Sequence, residues 1–224
     1  MNISDPTAQA LLRGLPSLKG PSRPLDLFTL LPSSPREAFT DWLKDAVDNN
    51  VKEPHAMTLS TIDEHGYPDA KVLILKNLDG RGCHLAIKAD RPKGKQIMHK
   101  PAVALTFYWP QLGCQICIRG QASQLSAEES AKDFAERPMG SKITVLASKQ
   151  SEVLEHHDAL GDGHRKAQEK IKAEPDFVSP AWTVFAVAAN SVEFRQGATD
   201  RMHQRLRYET SNDGSGWEKH VPYP

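Results

Sequence analysis

The sequence lacks a long uninterrupted apolar run. No stretch of its 224 residues approaches the roughly 18–20 apolar residues that a membrane-spanning helix needs. The N-terminal segment MNISDPTAQALLRGLPSLKG has neither an apolar core nor a basic start, which argues against a signal peptide. We therefore predict an intracellular, cytoplasmic protein that does not act on a membrane.

The sequence also lacks a net charge, since 28 basic residues balance 28 acidic ones. No global field attracts nucleic acid, so we predict no nucleic-acid partner, and any anion site must be local.

The glycine-rich fingerprints G-x-x-x-x-G-K-[ST] and G-x-G-x-x-G are absent, which excludes the common nucleotide-binding loops. G-x-S-x-G and H-E-x-x-H are absent too, which excludes common hydrolase sites.

Cysteine is scarce, with only Cys83, Cys114 and Cys117 in the chain. An odd, sparse set argues against a secreted disulfide framework and suits a reducing compartment. Cys114 and Cys117 have C-x-x-C spacing, but on a strand they point to opposite faces. We therefore predict no metal site there.

Capping signals and short β-rich runs predict the elements. Ser34 can cap a helix that begins at Pro35, with Glu37 completing a capping box. Runs rich in β-branched and aromatic residues then predict strands. These runs cover 56–62, 71–76, 83–87, 103–109 and 114–123. A short helix is expected after Lys93.

The second half mixes helices and strands. Helices are predicted from a second capping box at Ser126 to Arg137, over 141–148 and over 151–173, with a break at Gly161–Gly163. Strands are predicted at 181–188, 191–194 and 201–209. The fold class is α+β dominated by β, an antiparallel sheet or barrel with peripheral helices. Residues 1–33 are predicted to be an extended arm, and 34–224 a single domain.

The segment 201–208, RMHQRLRY, is basic on one side. On a strand, Arg201, His203, Arg205 and Arg207 share one face. Guanidinium groups suit phosphate and carboxylate ligands, so this face could bind anions. The alternative is a solvent-exposed edge strand that uses charge against aggregation. The residues alone leave both interpretations open.

Several ordered motifs resemble the pyridoxamine 5′-phosphate oxidase family. They are EPHAMTLSTIDEHGYPDAKVLILK, FYWPQLGCQICIRGQA, ERPMGS, SKQS and VEFRQGATDRMHQRLRYE. The resemblance runs from about Arg36 to Trp217 and implies a six-stranded split β-barrel that dimerises, with FMN at the subunit interface. It also implies transfer of a hydride from a phosphorylated B6 vitamer to the flavin, which O₂ reoxidises to give peroxide.

The resemblance implies roles for individual residues. Arg201 and His203 are the implied catalytic pair over the substrate. The implied substrate-binding set is Lys76, Arg137, Ser141, Arg201 and His203. The implied FMN-binding set is Lys71, Val72, Leu73, Ile74, Lys76, Lys93, Gln115, Gln150, Ser151 and Arg205.

The sequence departs from the family pattern at several site positions. Ala86 and Ile87 stand where the family usually has Tyr-Thr, Arg91-Pro92-Lys93 replaces Ser-Arg-Lys, and Arg195 replaces a tryptophan. Asp133 replaces a tyrosine at the substrate phosphate.

The leading hypothesis is an FMN-dependent oxidase of a small phosphorylated substrate. The alternatives are a flavin oxidase of another aromatic substrate, of the phenazine-precursor type, and a non-catalytic split barrel that binds flavin or another ligand.

Overall fold

The computed structural model describes residues 6–15, 31–154, 156 and 158–224. Within them, six helices form: α1 Pro6–Gly14, α2 Pro35–Asp48, α3 Pro92–His99, α4 Ala127–Ala135, α5 Met139–Ala147 and α6 Asp158–Ala173. Nine strands form in the same residues. They are β1 Ala56–Ile62, β2 Pro68–Ile74, β3 Asn77–Asp79, β4 Gly82–Lys88, β5 Ala102–Trp109, β6 Cys114–Gln124, β7 Trp182–Gln196, β8 Gln204–Thr210 and β9 Trp217–His220.

The helix starts follow the predicted caps. The Ser34 hydroxyl accepts a hydrogen bond from the Glu37 amide ahead of α2, and Pro35 occupies the first turn. At α4 the capping box is complete, because Ser126 and Glu129 each accept a hydrogen bond from the other's backbone. These side chains satisfy amides that the first turn of a helix leaves unpaired.

The strands form one antiparallel-rich sheet in the order β2-β1-β5-β6-β7-β4-β3, with β8 paired to β7 and β9 paired to β8. This path is open at both ends among the described residues. Seven strands (β1, β2 and β4–β8) have seven or more residues, one more than the implied six, and β3 and β9 are shorter. The β-dominated α+β class is confirmed.

By its contacts the chain divides into two compact units. One comprises the described residues up to Pro54 with Tyr108–Ile116 and Glu193–Pro224, and we call it the terminal unit; the other, the central unit, comprises His55–Phe107 and Cys117–Val192. In the terminal unit, Phe194 packs edge-on against Trp42 at 5.1 Å and Tyr208 at 5.8 Å between ring centroids.

Two clusters in the central unit attach its helices. Phe134 of α4, Val145 of α5 and Trp182 of β7 are buried together. Ile143 of α5 packs with Ala167 and Ile171 of α6. The helices are thus held by apolar contacts, as their amphipathic patterns require.

Five local predictions were wrong, among them the start of the helix predicted over 151–173, which begins only at Asp158. The arm predicted to be extended contains α1, which starts at a proline and ends at a glycine, residues that favour those positions; 1–5 and 16–30 lie outside the described residues. The break at Gly161–Gly163 is absent, and α6 runs through it. A Cβ on Gly163 would lie 3.1 Å from the Ala147 carbonyl oxygen, so this glycine permits close helix packing.

The other two differences concern strands. The strands predicted at 181–188 and 191–194 are one continuous strand, β7. Its first half pairs with β4 from Trp182 to Val187, and continued pairing beyond it with β8 favours an unbroken strand. The strand predicted at 201–209 begins only at Gln204, because Arg201 has a φ of +67° and His203 donates its amide to the Arg201 carbonyl at 2.9 Å in a tight turn.

Candidate active site

A pocket of about 590 Å³ lies within the central unit. Its volume is in the range typical of sites for small ligands. Strands β2 and β4 and helices α3 and α5 supply much of the wall. The lining residues are Val72, Leu73, Ile74, Lys76, Ala86, Ile87, Lys88, Lys93, Arg137, Pro138, Gly140, Ser141, Thr144, Val145, Ser148, Gln150 and Trp182.

The pocket brings together most of the predicted site residues of this unit. Those that line it are Val72, Leu73, Ile74, Lys76, Lys93, Arg137, Ser141 and Gln150. Lys71 and Ser151 adjoin lining residues in the chain but do not line the pocket. Gln115, Arg201, His203 and Arg205 belong to the terminal unit.

One group of lining residues centres on Lys93, at the start of α3. The residue is only 5% exposed, and its Nζ donates to the Gln150 side-chain oxygen at 3.0 Å. Desolvation, followed by the charge of Lys71, lowers the pKa of Lys93, while Asp69 opposes the shift. Asp69 itself pairs with Lys71 at 3.4 Å. A buried cation whose direct partner is a neutral amide is a favourable place for an anion.

Lys88 and Arg91 fix the segment that follows α5. The Lys88 Nζ donates to the carbonyls of Val145 and Ser148, each at 2.9 Å, which satisfies the end of that helix. Arg91 pairs with Glu152. Burial, then the charge of Arg91, lowers the pKa of Lys88. Sequence reasoning missed Lys88, because the carbonyls that it meets lie in a distant part of the sequence.

A second group at the pocket comprises Lys76, Arg137 and Trp182, which line it, and Asp133, which contacts Lys76 and Trp182. Asp133 lies 3.3 Å from the Lys76 Nζ and accepts a hydrogen bond from the Trp182 indole at 2.8 Å. The Arg137 guanidinium stacks 4.2 Å from the centroid of the Trp182 ring. Desolvation lowers the pKa of Arg137, and Asp133 partly offsets that shift.

The Arg137 Nε is buried and has no hydrogen-bond partner among the described residues. An unpaired buried donor is costly unless a ligand or water satisfies it. Trp182, which contacts both Arg137 and Asp133, was not identified from the sequence. It belongs to a strand whose register on β4 could not be read from alternation alone.

The basic face predicted over residues 201–207 is largely wrong. Arg201 and His203 precede β8, so they do not share a strand face with Arg205. Arg205 makes a bidentate pair with Glu193, from Nε to Oε1 at 3.1 Å and from Nη2 to Oε2 at 3.0 Å. Arg207 lies 3.4 Å from Glu209. Carboxylates of the chain therefore neutralise both strand arginines.

His203 is held in a defined tautomer by the turn before β8. Its Nδ1 accepts the Ala198 amide at 3.1 Å, so in the neutral ring the proton lies on Nε2. Desolvation, then the charge of Arg195, lowers the pKa of His203. At neutral pH this side chain is therefore an uncharged hydrogen-bond donor through Nε2.

The described residues form neither a metal cluster nor a membrane span. Within these ranges, no group of three or more His, Cys, Asp or Glu side chains could hold a metal ion. In the same part of the chain, no helix is long and apolar enough to cross a bilayer.

Two family models match the chain. Residues 43–168 match the pyridoxamine 5′-phosphate oxidase model. Residues 182–224 match the pyridoxine 5′-phosphate oxidase C-terminal dimerisation region, which implies a homodimer. The pyridoxine/pyridoxamine 5′-phosphate oxidase of Burkholderia mallei (strain SAVP1) is 36% identical over 186 residues, covering 83% of this chain and 86% of the relative. That of Paraburkholderia xenovorans (strain LB400) is 36% identical over 185 residues with the same coverage.

Solved structures of similar fold agree with these family matches. PhzG from Burkholderia lata 383, in complex with tetrahydrophenazine-1-carboxylic acid, has a TM-score of 0.83 and 28% identity, covering 91% of this chain and 100% of its own. A pyridoxamine 5′-phosphate oxidase-related, FMN-binding protein from Nostoc punctiforme has a TM-score of 0.70 at 13% identity, covering 87% and 100%, and supports the fold alone. The split-barrel prediction is confirmed, and the chain belongs to the pyridoxamine 5′-phosphate oxidase family.

Proposed function

We propose that the protein is an FMN-dependent oxidase and that its pocket holds the flavin and the substrate. The observation that carries this proposal is Lys93, a buried cation whose direct partner is the neutral Gln150 amide. That arrangement fits the phosphate of FMN, and the apolar wall of Val72, Leu73 and Ile74 fits a flat ring. Bound FMN would supply the hydride acceptor, with O₂ as oxidant and peroxide as product.

The remaining polar groups of the pocket suit an anionic substrate. Arg137, whose buried Nε lacks a partner among the described residues, and Ser141 would hold its anionic group, and Lys76 would lie beside it. Arg201 and His203 carry over from the family as the pair that orients the reacting end. The neutral His203 would act there as a donor through Nε2, because its Nδ1 is engaged by the Ala198 amide.

Flavin binding and turnover test the two parts separately. Titration of the purified protein with FMN, followed by fluorescence quenching, should show one tight site per chain. Peroxide release should then be measured with pyridoxine and pyridoxamine 5′-phosphates. Failure to bind FMN would exclude this cofactor. Flavin binding without turnover would exclude only the B6 substrates. If other substrates also gave no peroxide, the non-catalytic alternative would be favoured.

A second candidate is an oxidase of another aromatic substrate. Ala86 and Ile87 line the pocket, so this part of its wall is apolar. The structurally similar PhzG was solved with a tricyclic carboxylic acid. The same peroxide assay with dihydro-aromatic carboxylic acids would distinguish this candidate, since the B6 oxidase should not turn them over.

We also propose that FMN lies at the subunit interface of the homodimer. Supporting this is the match of residues 182–224 to a dimerisation region. A ligand that bridges two subunits must strengthen their association by mass action. Sedimentation of FMN-free and FMN-loaded protein over a range of concentrations should show tighter dimerisation with FMN; an unchanged dimer dissociation constant would place the flavin away from the interface.

A further inference from the structure

A carboxylate, Asp133, lies against the cations of the Lys76 group without itself lining the pocket. Asp133 and Arg137 are four residues apart, one at the end of α4 and one just beyond it, so their side chains neighbour each other. Asp133 touches Lys76 and Trp182, two residues that line the pocket. Its charge also acts on Arg137.

The local charge therefore differs from that of a pair of free cations. Lys76 and Arg137 together carry two positive charges, and the negative charge of Asp133 reduces the net charge of the group to one. A phosphate monoester carries about −1.5 to −2 charges at pH 7, whereas a carboxylate carries one. Asp133 also accepts a hydrogen bond from the Trp182 indole at 2.8 Å, so the indole N–H is not available to a ligand.

We propose that Asp133 determines specificity in this part of the pocket, because its charge lowers the affinity for a phosphate dianion more than the affinity for an aromatic carboxylate monoanion. This inference rests on the proposed function, since it names the substrate class of the same site. Arg137 offers a planar guanidinium, which suits a carboxylate. The apolar wall at Ala86, Ile87 and Trp182 suits the ring that carries it.

The simpler alternative is that Asp133 forms an ordinary half-buried ion pair that only supports the fold. The two roles differ in one measurable quantity, the ratio of affinities for the two kinds of anion. A structural pair would change both affinities together, whereas a charge filter changes the ratio.

The test is Asp133→Asn, which keeps the size and an oxygen for the Trp182 indole but removes the charge. Phenazine-1-carboxylate and pyridoxal 5′-phosphate are titrated by calorimetry into wild type and variant, with and without FMN. One charge a few ångströms from a bound anion changes its affinity by on the order of 10- to 100-fold per ligand charge. We expect pyridoxal 5′-phosphate to gain at least tenfold more than the carboxylate does.

Glu128→Gln is the matched control, because Glu128 is an exposed residue in the first turn of the same helix and carries the same charge. It should leave both affinities unchanged. Equal gains for both ligands in Asp133→Asn, or no gain for either, would overturn the proposal. Failure of the wild type to bind FMN would instead refute the proposed function. The titrations without FMN would still test the effect of the Asp133 charge on the two affinities.

The pH dependence gives a second test. The phosphate of pyridoxal 5′-phosphate gains its second charge near pH 6. Between about pH 5 and 8 its affinity relative to phenazine-1-carboxylate should therefore rise less steeply in wild type than in Asp133→Asn, because Asp133 repels the added charge. Equal slopes in the two proteins would refute the proposal.

Discussion

Lys93→Met should change FMN affinity and the stability of the FMN-free protein in opposite directions. Lys93 is buried to 5% exposure, and its ammonium donates to the neutral Gln150 amide. Burial and the nearby Lys71 lower its pKa, so the charged form is disfavoured in the folded state. The lysine thus costs stability without a ligand, and an anion would offset that cost.

The expected loss of FMN affinity is that of one charge-assisted hydrogen bond. Such a bond contributes about 1.5–3 kcal/mol, so its removal weakens binding by about 10- to 150-fold. For stability, a lysine whose folded pKa is lowered binds fewer protons than in the unfolded state, so stability rises with pH toward the ordinary lysine pKa. Methionine removes this dependence, and the FMN-free variant should melt at a higher temperature near pH 7.

Fluorescence titration with FMN and thermal melts without it measure the two effects. Lys95→Met is the control, because Lys95 is an exposed lysine of the same helix. It should leave both the FMN dissociation constant and the melting temperature close to wild type. If Lys93→Met binds FMN within about threefold of wild type, a change well below one charge-assisted hydrogen bond, Lys93 does not hold the phosphate. A lower melting temperature would show that its bond to Gln150 outweighs the desolvation cost.

Four further substitutions test the fold. Phe194→Ala removes a fully buried ring that contacts Trp42 and Tyr208 and should lower the free energy of unfolding by about 3–5 kcal/mol in a urea titration; a decrease below about 1 kcal/mol would contradict this packing. Burial raises the pKa of Tyr208 to about 12, so the unfolded tyrosine ionises first and stability should fall from about pH 10 upward by about 3 kcal/mol. In Tyr208→Phe that alkaline decrease should shrink, although the variant loses the bond to the Pro32 carbonyl; an unchanged pH profile would exclude Tyr208 as its source. Gly120→Ala would bring a Cβ within 2.1 Å of the Ala188 carbonyl oxygen and should prevent stable folding, whereas Gly161→Ala, in a helix and with open space, should raise stability by up to about 1 kcal/mol.

Local signals predicted the elements well where they are chemically specific. The caps at Ser34 and Ser126 fix the starts of α2 and α4 because a side-chain oxygen must meet an unpaired amide. Alternation located β1 at its observed bounds. Glycine was less reliable: the predicted break at Gly161–Gly163 failed because packing of α6 against Ala147 overrides a penalty of about 1 kcal/mol.

The candidate site was predictable as a set of residues but not as a set of charges. Order and spacing of motifs identified Lys76, Lys93, Arg137 and Ser141, which the fold gathers in one pocket. Lys88 and Trp182 were missed because their roles depend on tertiary contacts: Lys88 reaches carbonyls of α5 and of the residue that follows it. No local pattern states which distant segment a side chain will meet.

Arg205 and Lys93 show why counting cations does not locate an anion site. Arg205 stood out in the sequence because it belongs to a basic run, yet Glu193 of the neighbouring strand takes its guanidinium. The same alternation that grouped Arg205 with Arg207 also places Glu209 on that face, so one of the neutralising carboxylates was readable. Lys93 begins a short helix with no such run around it, but it is buried beside a neutral partner and makes no ion pair with the described residues. An anion site is therefore found where the fold leaves a cation without an acidic partner. Which cation this is depends on tertiary structure.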